Sequence, residues 1–442
     1  MNKTDPIRRQ SLLQRMFKLH EHGTTVRTEI IAGLTTFLTM VYIVFVNPQI
    51  LSMAGMDIKA VFVTTCLVAA LGSIMMGLVA NLPVAVAPAM GLNAFFAFVV
   101  VGAMVYSWQV AMGAIFWGAV GLFLLTLFHI RYWIIAHIPL SLRVGITSGI
   151  GLFIAMMGLK NAGIIVANPD TLVAIGNFSQ SNVLLGILGF FIIVVLAARN
   201  IHAAVLVSIV ITTLIGMIIG DVQYNGVFAL PPSIMTVVGH VDMIGSLDIG
   251  LSGIIFSFML INLFDSSGTL IGVTDKAGLA DKTGKFPQMK QALYVDSLSS
   301  VAGSAMGTSS VTAYIESSSG VAIGGRTGLT AIVVGALFLL TIFISPLASM
   351  VPAYATAGAL IYVGVLMTSS LTRVAWHDLT ESVPAFITAV MMPFSFSITE
   401  GIALGFIAYC VMKIGTGRWR EIGLAVVIVS LLFIAKIILV DV

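Results

Sequence analysis

Long apolar segments follow one another along almost the whole chain. A helix crosses the hydrocarbon core of a bilayer with about 20 consecutive apolar residues, and most of these segments approach that length. Hydrophobic residues make up 59% of the sequence and charged residues only 9%, which lies outside the range of soluble domains. The sequence therefore predicts an all-α integral membrane protein. The fourteen candidate spans are 29–50, 60–81, 84–102, 108–128, 139–160, 182–198, 202–220, 249–272, 286–305, 310–325, 328–348, 352–371, 380–395 and 398–415.

Outside these spans, the chain begins with a polar, basic stretch and ends with one more apolar segment. Residues 1–28 lack the short apolar core of a secretory signal, so we expect a cytoplasmic N-terminal segment and no cleaved signal peptide. The last apolar segment, 422–440, follows Arg418 and Arg420 and contains Lys436. It can form either a fifteenth span or a helix lying against the bundle.

The distribution of Lys and Arg among the loops tests this count. With a cytoplasmic N-terminus, the outside loops hold only Lys59 and Lys160, and the long loop 221–248 holds aspartates without Lys or Arg. Basic residues concentrate in cytoplasmic loops, so fourteen spans with a cytoplasmic N-terminus are predicted. The inside loops then hold Arg131, Arg143, Arg199, Lys276, Lys282, Lys285, Lys290, Arg326, Arg373, Lys413, Arg418 and Arg420.

Two distant stretches match each other and indicate an internal repeat. IPLSLRVGITSGIG at 138–151 and VPAYATAGALIYVG at 351–364 share one Pro and two Gly at equal spacing. The first begins on the predicted cytoplasmic side and the second on the outside. We therefore predict two inverted seven-helix repeats, a plan of secondary transporters whose substrate sites lie near the membrane midplane. The matched residues are Pro139 with Pro352, Gly145 with Gly358, and Gly151 with Gly364.

The third segment of each half is interrupted. In LPVAVAPAMGLNAFFAF at 82–98, Pro83 and Pro88 bracket an extended-looking VAVA, and in GTSSVTAYIESSSGVAIGG at 307–325, Ser, Thr and β-branched residues precede a short helix. Nonhelical backbone at membrane depth must be buried in protein or line a water-filled cavity. We expect short extended stretches in segments three and ten, and we expect these segments to meet at a binding site.

Two carboxylates fall well inside the apolar segments: Asp265 in NLFDSSGTLIGV and Glu316 in YIESSSG. A charge at the centre of a membrane helix costs about 2.5–3.5 kcal/mol on insertion scales, so both should face the bundle interior. Protonation would remove part of that cost. We predict that Asp265 and Glu316 form a hydrogen-bonding pair that binds substrate and couples protons. The alternative for each is a bond that only holds helices together.

Several polar side chains near these acids are further candidates for the same site. Each has a structural alternative: helix capping for Asn93, bonding to their own helix for the threonines, and packing for the serines and aromatic rings. The candidates for substrate binding are Asn93, Thr269, Ser317, Ser318, Thr35, Thr36 and Tyr314. Tyr42, Phe37 and Phe95 can also cover a flat ligand, with packing as the simpler role.

The sequence does not support other chemistry. It contains no GxxxxGK[ST] phosphate loop and no HExxH or CxxC metal pattern, so we expect neither an enzyme nor a cofactor. The histidines fall in loops or at helix ends, which argues against a histidine proton relay. Asp296, Glu381, Glu400 and Asp378 are expected at the membrane interface. Two buried acids without a buried arginine favour protons over anions as the coupled or carried ion.

Five stretches carry a resemblance to a known family: TTFLTMVYIVFVNPQI, APAMGLNAFFAF, NLFDSSGTLIGVTDKAG, GTSSVTAYIESSSGVAIGGRTGLTA and SITEGIALGFIAYC. They resemble nucleobase:cation symporter family 2, in its AzgA-like purine branch with the bacterial adenine permeases, over essentially the whole chain. The resemblance implies the fold of the bacterial uracil transporter, with fourteen spans in two inverted repeats. It also implies that the family's acids on helices eight and ten correspond to Asp265 and Glu316.

The same resemblance implies a division of the helices into a core domain of helices 1–4 and 8–11 and a gate domain of helices 5–7 and 12–14. On this chain the units are a cytoplasmic segment 1–28, core parts 29–128 and 249–348, gate parts 129–220 and 349–416, an extracytoplasmic loop 221–248 and a C-terminal apolar segment 417–442.

Some positions depart from the wider family pattern. Glu316 is followed by three serines before Gly320, one residue more than in the family, and Thr269 stands where the uracil branch has a histidine. A Thr35/Thr36 pair replaces the Gln-His of the first helix. Contacts to uracil therefore cannot be transferred to this chain.

The resemblance implies proton-coupled uptake of a purine base by alternating access across a bacterial inner membrane. Adenine is the first expectation, with hypoxanthine or guanine as alternatives. The implied partners are the purine base, protons and membrane lipid, with a homodimer allowed and no nucleic acid. An anion transporter of the same fold and a passive channel are the alternatives from other classes.

Overall fold

The chain forms mostly α-helices, with two pairs of short β-strands. The computed structural model describes residues 12–248, 251–281 and 286–440. Residues 1–11 and two of the basic loop residues, Lys282 and Lys285, lie outside the described residues.

The helices are α1 (Leu12–Met16), α2 (Val26–Met40), α3 (Ile43–Ser52), α4 (Ile58–Met75), α5 (Met90–Ala94), α6 (Trp108–Leu127), α7 (Ile130–His137), α8 (Leu140–Asn161), α9 (Ser181–Ala198), α10 (Ala204–Ile218), α11 (Ser252–Lys276), α12 (Met289–Ala305), α13 (Ser317–Ile323), α14 (Gly328–Thr341), α15 (Ser345–Met350), α16 (Ala353–Thr368), α17 (Leu379–Ser395), α18 (Ile398–Gly415) and α19 (Leu424–Val440). The strands are β1 (Val86–Pro88), β2 (Ile165–Asn168), β3 (Leu172–Ile175) and β4 (Val311–Ala313).

Helices occupy the segments that the sequence predicts to span a membrane. Within the described ranges, nine helices are long and apolar enough to cross a bilayer. They are Val26–Ser52, Ile58–Ala80, Trp108–Leu127, Leu140–Asn161, Ser181–Ala198, Ser252–Lys276, Gly328–Met350, Ala353–Arg373 and Ile398–Gly415. Met90–Ala103, Ala204–Ile218 and Leu424–Ile438 are shorter apolar helices. The predicted all-α membrane class is confirmed.

Segments three and ten are interrupted as predicted, and their extended stretches pair with each other. β1 runs antiparallel to β4, with Val86 opposite Ala313 and Pro88 opposite Val311. Proline fixes φ and restricts the residue before it to extended backbone, so Pro83 and Pro88 disfavour a helix here. The helices α5 and α13 begin shortly after the two strands. The strands thus bring the two halves of the chain together at one buried point.

Two serines satisfy the buried backbone of these strands. The Ser73 hydroxyl accepts from Val86 N at 3.0 Å and donates to Val86 O at 3.1 Å. Ser300 accepts from Val311 N at 3.2 Å and donates to Val311 O at 2.8 Å. An unpaired backbone group is costly within a bilayer, so these bonds stabilise nonhelical backbone there. Ser73 lies on α4 and Ser300 on α12, in the second and ninth predicted segments.

The matched residues of the internal repeat occupy matched positions on α8 and α16. Pro139 precedes α8 as its N-cap and Pro352 precedes α16 in the same way. A Cβ atom at Gly151 would lie 3.1 Å from Gly364 O, and one at Gly364 would lie 2.6 Å from Gly151 O. Only glycine at these two positions lets the backbones of α8 and α16 approach so closely.

The other two matched glycines also make close helix contacts. A Cβ atom at Gly145 would lie 2.9 Å from Ala385 O of α17, in predicted segment thirteen. One at Gly358 would lie 2.7 Å from Phe190 N of α9, in predicted segment six. Both glycines therefore allow close approach of a neighbouring helix.

The C-terminal helix α19 is held against the bundle. Phe433 is fully buried, and its ring centroid lies 6.2 Å from that of Phe406 on α18 and 6.0 Å from that of Phe256 on α11. Lys436 Nζ lies 2.5 Å from Glu400 Oε1. An aromatic contact and an ion pair thus join the last apolar segment to α11 and α18.

Candidate functional site

Glu316 lies between strand β4 and helix α13, outside the regular hydrogen bonding of either element. The residue is buried, and its Oε1 accepts a hydrogen bond from the Tyr42 hydroxyl at 2.6 Å. Tyr42 is fully buried at the break between α2 and α3. The bond therefore forms where two broken segments meet, and among the described residues Tyr42 is the only side chain that donates to this carboxylate.

Asp265 lies in the middle of α11 and is half-buried. No residue in the described part of the chain donates a hydrogen bond to its carboxylate. The two serines that follow it bond elsewhere, since Ser266 donates to Asp296 Oδ1 at 2.5 Å and Ser267 donates to Leu263 O. The Asp265 oxygens are thus free to accept a ligand or a proton.

Asp265 and Glu316 line the same small chamber, which lies beside the paired strands β1 and β4. The chamber has a volume of about 30 Å³ and is also bordered by Met90 and Gly91 of the α5 helix and by Thr312 of β4. The two carboxylates face one space, but no hydrogen bond joins them directly. The structure therefore brings together the two acids that the sequence analysis singled out, as neighbours and not as a bonded pair.

A larger cavity of about 820 Å³ shares Glu316 and Thr269 with this chamber. Its volume lies within the range of about 300–1,000 Å³ typical of small-molecule sites. From Glu316 the cavity extends to Arg143 on α8, Lys276 at the end of α11 and Arg373 after α16. A small planar ligand that contacts the two acids can therefore reach them from one end of the bundle.

Three more of the predicted site residues lie at these spaces. Thr269 lines both, Ser318 lines the large cavity and Tyr314 lines the chamber. The Ser318 hydroxyl is buried and has no hydrogen-bond partner within the described ranges, so it is available to a ligand. The Tyr314 hydroxyl donates to Pro88 O at 2.6 Å, which fixes the ring beside the chamber.

The two threonines of the first span lie outside the chamber and the large cavity. The Thr35 hydroxyl donates to Ile31 O of its own helix at 2.9 Å, which is the structural alternative considered for it. Thr36 is fully buried against α13, where a Cβ atom at Gly320 would lie 2.2 Å from its hydroxyl oxygen. The Thr35 bond lies within α2 and the Thr36 contact packs α2 against α13, so direct ligand binding by these threonines stays a prediction.

Ser317 and Asn93 also bond to protein groups. The Ser317 hydroxyl accepts from Ala85 N at 3.0 Å, next to the paired strands β1 and β4. The side-chain amide of Asn93 donates to Asn47 Oδ1 on α3. The Ser317 bond fixes the start of α13 next to Glu316, and the Asn93 bond joins α5 to α3. A direct contact of either side chain with a ligand stays a prediction.

Sequence reasoning missed several cavity residues. His202, expected in a loop or at a helix end and not in a proton relay, lines the large cavity with Arg143 and Arg373. Tyr42, considered only as a ring to cover a ligand, bonds Glu316 through its hydroxyl. These residues come from four different parts of the chain. In the sequence, Arg143 and Arg373 only indicated the orientation in the membrane.

Asp296 is buried between helices of the bundle, and its position at the membrane interface stays a prediction. It is fully buried on α12, with its Oδ2 2.7 Å from Arg131 Nη2, and Arg131 is fully buried too. The expectation of no buried arginine is therefore wrong. The partners are 165 residues apart and the arginine lies on short α7 in a predicted loop, so no local pattern could reveal the pair. Because the charges compensate each other, Arg131 is not free for an anion.

Glu29 is a further buried carboxylate, and its acceptors are fully used. Its oxygens accept from Arg326 N at 2.9 Å, from Thr327 N and Thr330 N at 3.3 Å each, and from Thr330 Oγ1 at 2.6 Å. A carboxylate at the N-terminus of α14 satisfies otherwise unpaired amides of the helix. This acid stabilises the fold.

Comparisons with known proteins identify the family to which this chain belongs. A model described as "Permease family" matches residues 27–435. The chain is 79% identical over 432 residues to the adenine permease AdeP of Escherichia coli strain K12, covering 98% of this chain and 97% of that protein. The chain belongs to the permease family. The resemblance to the nucleobase transporters is confirmed, and these relatives are permeases and not enzymes.

Other members of the permease family are more distant. The guanine/hypoxanthine permease PbuO of Bacillus subtilis strain 168 is 43% identical over 430 residues, covering 96% of this chain and 99% of that protein. This family member and the chain are similar over nearly their full lengths. The purine branch thus includes relatives named for different bases.

Solved structures share the fold of this permease-family chain. The transmembrane domain of a cyanobacterium bicarbonate transporter BicA gives a TM-score of 0.64 at 14% identity, covering 87% of this chain and 97% of that one. Murine Slc26a9, an anion transporter in the inward-facing state, gives 0.62 at 12% identity, covering 94% and 74%. At such identities the likeness concerns the fold alone. The chain is a multi-pass membrane protein of this architecture.

Proposed function

We propose that this chain is a proton-coupled purine permease, with adenine as its first substrate. The single observation that carries the proposal is that Asp265 and Glu316 line one chamber at the base of a cavity large enough for a purine. Relatives named as adenine permeases, at 79% and 73% identity, support adenine over other bases.

The chemistry of adenine suits this site. The base is flat and carries adjacent hydrogen-bond donors and acceptors on its edges, so a carboxyl group can bind one edge through two hydrogen bonds. In our proposal, Glu316 holds the base, while Asp265 binds it or takes the coupling proton. Thr269 and Ser318 offer hydroxyls from the cavity wall, and the ring of Tyr314 offers a face.

The proposal includes fourteen spans in two inverted repeats, with the core and gate domains that the family resemblance implies. Two sets of similar contacts support it: Ser73 and Ser300, which bond to strands β1 and β4, and the glycines Gly151 and Gly364 between α8 and α16. Such repeats let one half-site move against the other in alternating access.

We further propose an orientation with a cytoplasmic N-terminus in a bacterial inner membrane. The large cavity ends at Arg143, Lys276 and Arg373, on the side where basic residues concentrate. With this orientation the cavity opens to the cytoplasm, and the conformation is the inward-open state from which a base would be released.

Uptake of radiolabelled adenine into proteoliposomes tests the function. We expect uphill uptake driven by an inward proton gradient, abolished by a protonophore and competed more strongly by unlabelled adenine than by hypoxanthine or guanine. Glu316→Gln should lose uptake at unchanged protein content. Stronger competition by hypoxanthine would instead assign the chain to that base, and bicarbonate flux without adenine uptake would refute the proposal.

A further inference from the structure

The outer part of the large cavity carries an excess of positive charge. Arg143, Lys276 and Arg373 line it, together with a single carboxylate at the same level, Asp275, and with His202. Adenine is neutral, so these cations have no evident task in binding the base. We call the three cations the cationic mouth.

No ion pair neutralises the cationic mouth within the described ranges. The ion pairs of the described chain involve other cations, among them Arg131, Lys413 and Arg418. The Nε of Arg143 is buried and has no hydrogen-bond partner in the described part of the chain.

Both guanidinium groups of the mouth line one cavity. Arg143 is partly buried on α8, and Arg373 lines the same space after α16. An unpaired, partly buried cation is unfavourable, and a second like charge adds to that cost. An anion bound between Arg143 and Arg373 would relieve both costs, and guanidinium groups bind phosphate through paired hydrogen bonds.

The mouth lies one ligand length away from the two acids. Seven residues of α11 separate Thr269, which lines the acidic chamber, from Lys276 at the mouth. At a rise of 1.5 Å per residue, this is about 10 Å along the helix. The cavity of about 820 Å³ is continuous over that distance and far exceeds the needs of a bare base. A ligand with a purine at one end and a phosphate at the other fits both ends together.

We infer that the cavity binds purine nucleoside monophosphates, with the base at Glu316 and Asp265 and the phosphate at Arg143, Arg373 and Lys276. The inference rests on the proposed function, because it uses the same base site. A bound nucleotide excludes adenine from the cavity. The nucleotide is then an inhibitor that acts from the side where the mouth opens, and it links uptake to the amount of base already converted to nucleotide.

Displacement of radiolabelled adenine from the full-length protein in lipid nanodiscs tests this inference. The competitors are adenosine monophosphate, adenosine and inorganic phosphate. We expect the monophosphate to displace adenine about tenfold more strongly than adenosine does, because charge-assisted bonds to the phosphate are added. Inorganic phosphate alone should not displace adenine, because it lacks the base.

Variants of the mouth assign the effect to the named residues. Arg143→Gln combined with Arg373→Gln should remove the advantage of the monophosphate over adenosine. Arg373→Gln alone, at an exposed position, should reduce it and guards against misfolding of the double variant. The matched control is Arg420→Gln, an exposed arginine stacked on Trp419 and outside the cavity, which should keep the full advantage.

Three results would overturn the inference: equal displacement by the monophosphate and adenosine, displacement by inorganic phosphate alone, or an undiminished monophosphate advantage in the mouth variants. Each of these is read in samples that bind adenine. Absence of adenine binding in the native protein is a different result, which overturns the proposed function and the inference with it.

Discussion

Buried carboxylates occur in two kinds of surroundings in this molecule. Glu29 and Asp296 have their oxygens occupied by protein donors, namely the amides and hydroxyl at α14 and the guanidinium of Arg131 with Ser266. Asp265 and Glu316 face a cavity, and among the described residues only Tyr42 donates a side-chain hydrogen bond to either. Burial of an acid therefore does not identify a binding site by itself. Carboxylate oxygens to which no protein group donates a hydrogen bond identify the site in this molecule.

The largest change in stability should come from breaking the buried ion pair of Asp296 with Arg131. Asp296→Asn leaves Arg131 buried and uncompensated, which should destabilise the fold by about 3–5 kcal/mol. The measurement is the melting temperature of the purified protein in detergent. The double variant Arg131→Met with Asp296→Leu, which removes both charges, should recover most of the loss. A native melting temperature for Asp296→Asn would contradict the structural role.

Asp265 offers the opposite case, in which function changes and stability does not. Asp265→Asn should blunt the pH dependence of adenine accumulation, since one coupled proton contributes about 1.4 kcal/mol per unit of pH gradient. Accumulation ratios in proteoliposomes at several imposed gradients measure this. Asp170→Asn, at an exposed position, is the control and should follow the native profile. An unchanged profile for Asp265→Asn would exclude coupling there.

The bond between Tyr42 and Glu316 should have an intermediate effect. Tyr42→Phe keeps the ring and removes the hydroxyl that donates to Oε1. A hydrogen bond to a charged group is worth about 1.5 kcal/mol or somewhat more, so adenine affinity should fall about tenfold. Equilibrium binding of radiolabelled adenine gives the value. Tyr224→Phe, on an exposed loop, is the matched control. An affinity within twofold of native would show that the hydroxyl does not position the acid.

The smallest effect concerns an exposed carboxylate outside the spans. Glu421 bonds Arg418 and Lys413, and these bonds lower its pKa from the ordinary 4.5 to about 2. A depressed folded-state pKa stabilises the fold above the ordinary value and loses that stabilisation as pH falls towards about 2. Glu421→Gln should therefore lower the melting temperature slightly at pH 7, and by less at pH 3. A difference between the two proteins that stays constant over this range would refute the account.

The helices and the extended stretches that form β1 and β4 were predictable from local sequence patterns. The apolar lengths set the spans, and the prolines around VAVA together with the Ser- and Thr-rich stretch before Glu316 mark the two extended stretches. The apolar lengths and the prolines depend on residues close together in sequence, so a pattern can reveal them. The direct contact of Gly151 on α8 with Gly364 on α16 was not predicted, although the internal match had singled out both glycines.

The two acids of the site were predictable from the sequence, and the side chains that bond to the buried acids were not. Asp265 and Glu316 stood out because carboxylates inside apolar segments are rare. The partner of Asp296 and the hydroxyl that bonds Glu316 come from distant elements, Arg131 on α7 and Tyr42 between α2 and α3. Sequence patterns carry no signal for such pairings, and for this reason the buried ion pair of Asp296 with Arg131 was not predicted.

The most direct test compares one acid of each kind in a single measurement, the rise in melting temperature on adding adenine. A ligand at about 100 times its dissociation constant stabilises the folded state by about 2.7 kcal/mol. Native protein and Glu29→Gln, even if the latter starts from a lower melting temperature, should both show the full rise. Glu316→Gln should keep its melting temperature without ligand and show no rise. A full rise in Glu316→Gln, with its loss in Glu29→Gln, would contradict the assignment of the unsatisfied acids to the base.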